Sequence, residues 1–204
     1  MIKRVISILL LAALLGGCVT TPPARHDDLC AIFEEKRGWY KAALRAEERW
    51  QIPPPVSMAF IRQESSFIHD ARAPRNYVFF GLIPWGYKSS AYGYSQALDA
   101  TWQQYRDETR QPRVSRRDFW AAVDFVGWYV DHTHRRLGIA RGNAYHQYIS
   151  YHEGWTGYAR RGWENKPAVQ KVAARVAGHA KAYTIQYQSC KESLSRGFWY
   201  RLWH

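Results

Sequence analysis

Residues 115–138 constrain this chain most. Phe119, Val123, Val126, Val130 and Leu137 follow one another at steps of three, four or seven, a spacing that gathers them on one face of an α-helix. Ser115-Arg116-Arg117-Asp118 ahead of them has the serine-to-acid order of a capping box, with Asp where Glu is usual. Gly138 supplies the stop. The same grammar recurs along the chain. Residues 29–50 place Ile32, Phe33, Tyr40 and Leu44 near helical spacing, and Pro53-Pro54-Pro55 ends that run. A short helix is predicted over 56–65 with Met58, Phe60 and Ile61 buried, and another over 99–109, broken by Pro112. Asn143 is positioned to cap a helix that runs to Glu153 and ends at Gly154. Pro167 opens a last long helix over 169–187. Between them, 69–92 holds Pro74, Gly81, Pro84 and Gly86 and reads as a long loop. No run alternates with period two, so the prediction is an all-α fold with little or no sheet.

The beginning of the chain has a different grammar. Lys3 and Arg4 precede an apolar run over 5–15, too short to span a bilayer and suited to a signal-peptide core. Leu15-Gly16-Gly17-Cys18 resembles a bacterial lipobox, which implies cleavage after residue 17 and lipidation of Cys18. An ordinary secretory peptide with an incidental cysteine is the alternative. Residue 19 is Val rather than Asp, so the resemblance implies the periplasmic face of the outer membrane. Residues 18–28 then form a lipidated N-terminus and tether, rich in Thr, Pro and charge. Residues 29–204 form one domain. Export makes Cys30 and Cys190 an expected disulfide between the domain's two ends, with two free thiols as the alternative.

Lys and Arg number 29 against 17 Asp and Glu, a formal charge of +12 that favours polyanions. Export removes nucleic acid as the expected partner and leaves anionic lipid or a cell-wall glycan with acidic stem peptides. Aromatic residues make up 16% of the chain, more than core packing alone requires. Their faces stack on sugar rings, so a carbohydrate groove is one use; a partner surface or the membrane interface is another.

Glu64 carries the clearest chemistry. It falls on the last turn of a short apolar helix and faces a loop, with Phe60, Ile61 and Phe67 nearby in sequence. Apolar burial and the negative end of the helix both raise a carboxyl pKa, the usual way to keep an acid protonated near neutrality. Ile61-Arg62-Gln63-Glu64-Ser65-Ser66-Phe67 resembles the acid motif of soluble lytic transglycosylase (SLT) domains, whose fold is related to goose-type lysozyme. Tyr92-Gly93-Tyr94-Ser95-Gln96, with Ala100-Thr101-Trp102 after it, is similar to that family's Gly-Leu-Met-Gln motif and following helix. Gly127-Trp128-Tyr129 matches its Gly-x-Tyr. Tyr148-Ile149-Ser150-Tyr151-His152-Glu153-Gly154 resembles its Ala-Tyr-Asn-Ala-Gly helix end. The likeness covers roughly 52–187.

The resemblance implies a lysozyme-like helical fold. It also implies cleavage of the β-1,4 bond between N-acetylmuramic acid and N-acetylglucosamine of peptidoglycan, with Glu64 as sole acid and base and 1,6-anhydro ends as product. Ser65, Gln96, Tyr94, Tyr151 and His152 are then the expected substrate contacts, together with Tyr183 as the late family tyrosine that points at the acid. Three departures stand out. His152-Glu153 replaces Asn-Ala, Tyr94-Ser95 replaces Leu-Met, and the stretch from Glu64 to Gly93 is about a dozen residues longer than the resemblance implies. That insertion carries Tyr77, Phe79, Phe80, Trp85 and Tyr87. It reads as a glycan-binding lid, as a patch for an envelope protein partner at 77–87, or as a loop folded on its own aromatics.

Two other functions stay open. A muramidase-type hydrolase needs a second carboxylate, for which Glu153 and Asp70 are the candidates. A non-catalytic peptidoglycan-binding scaffold needs none. No metal or cofactor is expected: His132 and His134, two apart on a helix, point to different faces, and His152-Glu153 lacks the second His of a zinc-protease helix.

Overall fold

The computed structural model describes residues 20–78 and 83–196; Cys18, Phe79 and Phe80 lie outside them. Those residues form seven α-helices and one small hairpin: α1 Leu29–Glu35, α2 Arg37–Trp50, α3 Pro54–Ser65, β1 Arg75–Val78, β2 Ile83–Tyr87, α4 Asp99–Thr109, α5 Phe119–Leu137, α6 Ala144–Ala159 and α7 Pro167–Ser195. A short 3-10 turn, Gly162–Asn165, precedes α7.

At the centre is α5. Its residues from Ala121 to Thr133 are all buried, so it lacks the exposed face a half-buried stripe would leave. Buried polar groups on it need partners, and they have them. Asp124 accepts from Arg49 Nη1 at 3.0 Å, Trp50 Nε1 at 2.8 Å and the Tyr105 hydroxyl at 2.8 Å. Asp131 pairs with Arg135 and Arg141. Close approach of α2 depends on Gly127, where a Cβ would stand 2.6 Å from Trp50 Cδ1. The helix is capped by Asp118, whose side chain accepts from the Trp120 amide, rather than by Ser115; the Ser115 hydroxyl instead accepts from the Arg117 amide.

The single helix predicted over 29–50 is two helices. Lys36 leaves helical dihedrals (φ −115°, ψ 68°) and turns the chain between α1 and α2. Residues 69–92 are not only loop: β1 and β2 pair antiparallel, Arg75 with Tyr87 and Val78 with Ile83, around a bulge after Arg75. Cations stack on the hairpin's base, with Arg72 over Tyr92 at 4.3 Å and over Tyr87 at 5.1 Å, and Arg116 over Tyr92 at 5.3 Å. Trp85, on β2, is 70% exposed.

The first and last helices of the described residues, α1 and α7, are joined. Cys30 and Cys190 are disulfide-bonded with Cα atoms 6.0 Å apart, closing a loop of 160 residues; such a bridge stabilises by about 2–4 kcal/mol. The segment before α1 lies against the body from Thr20 onward. Pro23 is buried, the Ala24 amide donates to Glu35, and Gln186 both accepts from the Leu29 amide and donates to the Asp27 carbonyl.

Candidate active site

Pro54 starts α3 at the position where a missing amide costs nothing, and the helix ends one residue after Glu64. The exit is abrupt. Ser66 (φ 50°) and Phe67 (φ 64°) are both left-handed, a conformation costly for residues other than glycine and kept only where packing enforces it. Phe67 supplies that packing: it is fully buried and stacks on Trp39 at 5.5 Å. Glu64 is thus held on the last rigid turn, with the chain swept away beyond it.

Around the carboxyl the walls are aromatic. Phe60, one turn back, meets Tyr148 and Tyr151 edge-on, each at 5.4 Å. The Tyr148 phenol hydrogen-bonds Glu64, and burial in this setting raises the Glu64 pKa to about 7, with the Tyr148 bond pulling the other way. The residue as a whole is half-buried. Tyr151 donates to the Ser95 carbonyl at 2.5 Å, and Glu64 with the neighbouring phenols of Tyr129 and Tyr148 adds to the burial that holds its own phenol far above its usual range. Tyr129 donates to the Ser150 carbonyl at 3.0 Å and packs on Tyr151 at 4.9 Å.

Beside Tyr151 opens a cavity of about 230 Å³, lined on one side by Gln96, Leu98 and Thr101, on the other by Tyr151, His152 and Glu153, and floored by Phe125 and Tyr129. Gln96 is itself left-handed (φ 48°), and its Nε2 donates to the Ala71 and Gly93 carbonyls at 2.9 and 2.8 Å. Its amide nitrogen thereby ties residues 71 and 93 together at the foot of the loop that carries the hairpin. Gly93 is required there: its φ is +75°, and a Cβ would sit 2.1 Å from the Arg116 carbonyl oxygen.

Glu153 lines this cavity and is in a different state from Glu64. It bonds Lys166 at 2.5 Å and His152 at 3.1 Å, and the Lys166 bond, with His152 behind it, keeps its pKa below the ordinary carboxylate range. Asp70 is exposed, with only His69 near it at 3.8 Å.

Of the expected contacts, the fold brings Gln96, Tyr151 and His152 to this cavity. Three others it places elsewhere. The Ser65 hydroxyl is buried and back-bonds to the Ile61 carbonyl at 3.2 Å. Tyr94 is core, edge-on to Trp39 and Phe119 at 5.7 and 5.1 Å. Tyr183 is buried, but its hydroxyl donates to the His26 carbonyl and accepts from Arg62 Nη1, so it braces the N-terminal segment instead of the acid. Tyr148 takes the place at Glu64 that Tyr183 was expected to fill. Its signal was present: Tyr148 and Tyr151 stand three apart on one helix, so both rings face the same way.

A family model described as Transglycosylase SLT domain matches residues 6–190. The chain belongs to this SLT family. The mainly helical fold with one minor hairpin agrees with that membership. Neither a curated protein nor a solved structure matches the chain. Membership in the SLT family supports a lytic transglycosylase type of function, with peptidoglycan as the substrate it acts on.

Proposed function

We propose that this protein is a peptidoglycan lytic transglycosylase in which Glu64 is the sole acid and base. The observation that carries the reading is the setting of Glu64: a carboxyl on the last turn of a rigid helix, walled by Phe60, Tyr148 and Tyr151 and held protonated near neutrality. Such an acid can deliver its proton to the glycosidic oxygen that leaves with N-acetylglucosamine. The bond from that oxygen to the muramic anomeric carbon breaks, and the acetamido oxygen of the same sugar shares the positive charge. Glu64, now a carboxylate, takes the proton of the muramic 6-hydroxyl as that oxygen bonds the anomeric carbon. A 1,6-anhydro end results and the carboxyl is restored, with no water consumed.

The state of Glu153 supports single-carboxylate chemistry. Lys166 and His152 already engage it, so it is a poor candidate for activating water. Mass spectrometry of peptidoglycan digested by the protein and by its Glu64→Gln variant tests the reading. Anhydro-muropeptides from the wild type alone are expected. Reducing ends would replace the proposal with a hydrolase, and binding without product from the wild type would replace it with a scaffold.

Lipidation of Cys18 and residence on the periplasmic face of the outer membrane belong to the same proposal. They are supported by the basic start, the short apolar run and the Leu15-to-Cys18 motif. Among the described residues no helix is long and apolar enough to cross a membrane. Metabolic labelling with a fatty acid, lost in Cys18→Ser, is the expected result.

A further inference from the structure

A second concavity, of about 260 Å³, is lined by His26, Arg62, Gln63, Ser66, Arg175 and His179. Each of these side chains can donate a hydrogen bond and none is acidic. Arg62 is fixed by Tyr183, with Nη1 3.4 Å from the phenol oxygen and the guanidinium 5.7 Å above the ring. The same phenol donates to the His26 carbonyl, which sets His26 at the rim. Neither Arg62 nor Arg175 pairs with a carboxylate among the described residues, whereas Asp28 nearby is tied to Arg25 at 3.2 Å. The result is a pocket whose own lining is positive, with the charges of Asp27 and Asp28 felt at the Tyr183 phenol behind it. His179 registers that lining: burial first, then the charges of Arg62 and Arg175, press its pKa below the ordinary histidine range.

The pocket lies at the helix end that carries Glu64 and shares no lining residue with the cavity beside Tyr151. Arg62, Gln63 and Ser66 belong to the same helix end as Glu64, and the charge of Arg175 reaches the Tyr148 phenol that bonds Glu64. Unlike the cavity beside Tyr151, the pocket has no Phe, Tyr or Trp face for a sugar ring to stack on, so it suits a charged terminal group rather than a sugar. The guanidinium fork matches the two oxygens of a carboxylate.

We propose that this pocket is a carboxylate subsite for the acidic peptide arm of the glycan strand lying at Glu64. It rests on the peptidoglycan reading above and adds what that reading lacks, a preference for strands that still carry their peptides.

Affinity separates this proposal from the reading beneath it. The Glu64→Gln protein binds without turnover, so its Kd can be measured for peptide-bearing strands and for strands stripped by an amidase. Stripped strands are expected to bind about five- to tenfold more weakly, the lower range for charged hydrogen bonds at an open site. Adding Arg175→Gln, at an exposed position on α7, is expected to bring the ratio of the two Kd values close to one. Arg175→Lys, which keeps the charge and loses the fork, is expected to fall between. An unchanged ratio in Arg175→Gln and in Arg62→Gln overturns the subsite while cleavage of either strand leaves the transglycosylase reading standing. Failure of both strand types to bind overturns both. A ratio that holds while Arg175→Gln reduces binding to phosphatidylglycerol vesicles overturns the subsite in favour of a lipid phosphate.

Discussion

Glu64 stands on the last turn of α3 and Glu153 at a kink inside α6, which runs on to Ala159 rather than ending at Gly154 as its sequence predicted; the two carboxyls are in opposite states. Glu64, near the end of α3, has aromatic rings and a phenol around it, and burial raises its pKa to about 7. Glu153, at the kink of α6 where Gly154 leaves helical dihedrals (φ 75°, ψ 160°), has Lys166 and His152 and stays ionised. Neither difference is written in the residue type. Counter-charge within hydrogen-bond reach outweighs desolvation for one carboxyl, and its absence lets desolvation win for the other. The protonated carboxyl is thus the one walled by phenols, and the ionised one is the carboxylate that a lysine and a histidine already engage.

The largest expected effect is loss of chemistry. Glu64→Gln keeps size and hydrogen bonding but has no proton to give, and turnover is expected to fall by about 10²–10⁴-fold or more in a muropeptide-release assay. Glu153→Gln is expected to cost far less. Comparable losses in the two variants would break the contrast and make Glu153 a working carboxylate.

Stability against pH sharpens the same contrast. The folded pKa of Glu64 lies above the ordinary 4.5, so the protein is free of the Glu64 penalty below about 4.5, accumulates it as pH rises to about 7 and carries it in full above that. Glu64→Gln is therefore expected to be more stable than wild type at pH 8, by on the order of 2–3 kcal/mol, and nearly equal at pH 5. Urea melts at the two pH values read this directly. A difference independent of pH would show that Glu64 is ordinarily solvated. The enzyme's activity is expected to decline as pH rises through about 7. Tyr148→Phe removes the bond that pulls the Glu64 pKa down, so it is expected to move that decline to higher pH while lowering turnover by about tenfold or less.

Much of the fold was legible because breakers and periods are local. Asp99–Thr109, the Gly138 stop, the Asn143 cap and the Pro167 start all stand where residue type alone put them. The break at Lys36 was not legible, since the nearest breaker, Gly38, lies inside α2 and not at the break. The capping box at Ser115 failed because Asp118 is itself the better cap, and a cap chosen by geometry overrides a motif matched by spacing. In the site, Glu64 stands where an acid facing a loop was expected, on a helix end read from proline and apolar spacing. The phenol that meets it was legible only as a tyrosine sharing a helix face with Tyr151. Tyr148 and Tyr183 are both buried tyrosines, and only the crossing of α3 with α6 decides which reaches the carboxyl. The N-terminal segment was misjudged for a related reason. Thr, Pro and charge read as a tether, yet the carbonyls of His26 and Asp27 are held by Tyr183 and Gln186, over 150 residues away in sequence.

The smallest expected effect concerns Lys166. Its ammonium is half exposed, so the pair it forms with Glu153 contributes little to stability, about 0.2–1 kcal/mol by analogy with exposed pairs. Because Glu153's pKa is depressed, that contribution is present above the ordinary carboxylate range and lost as pH falls through its lowered value. Lys166→Met is thus expected to lower stability slightly at pH 7 and not at all in strong acid. Its more telling consequence is chemical. With Lys166 gone, Glu153 keeps only His152, and the carboxylate becomes freer to turn toward the cavity and engage water. A trace of reducing ends among the products of Lys166→Met, absent from wild type and from Lys166→Met/Glu153→Gln, would show that this ion pair keeps the second carboxylate out of the reaction. Products that remain wholly anhydro in Lys166→Met would mean that the position of Glu153, rather than its partner, is what silences it.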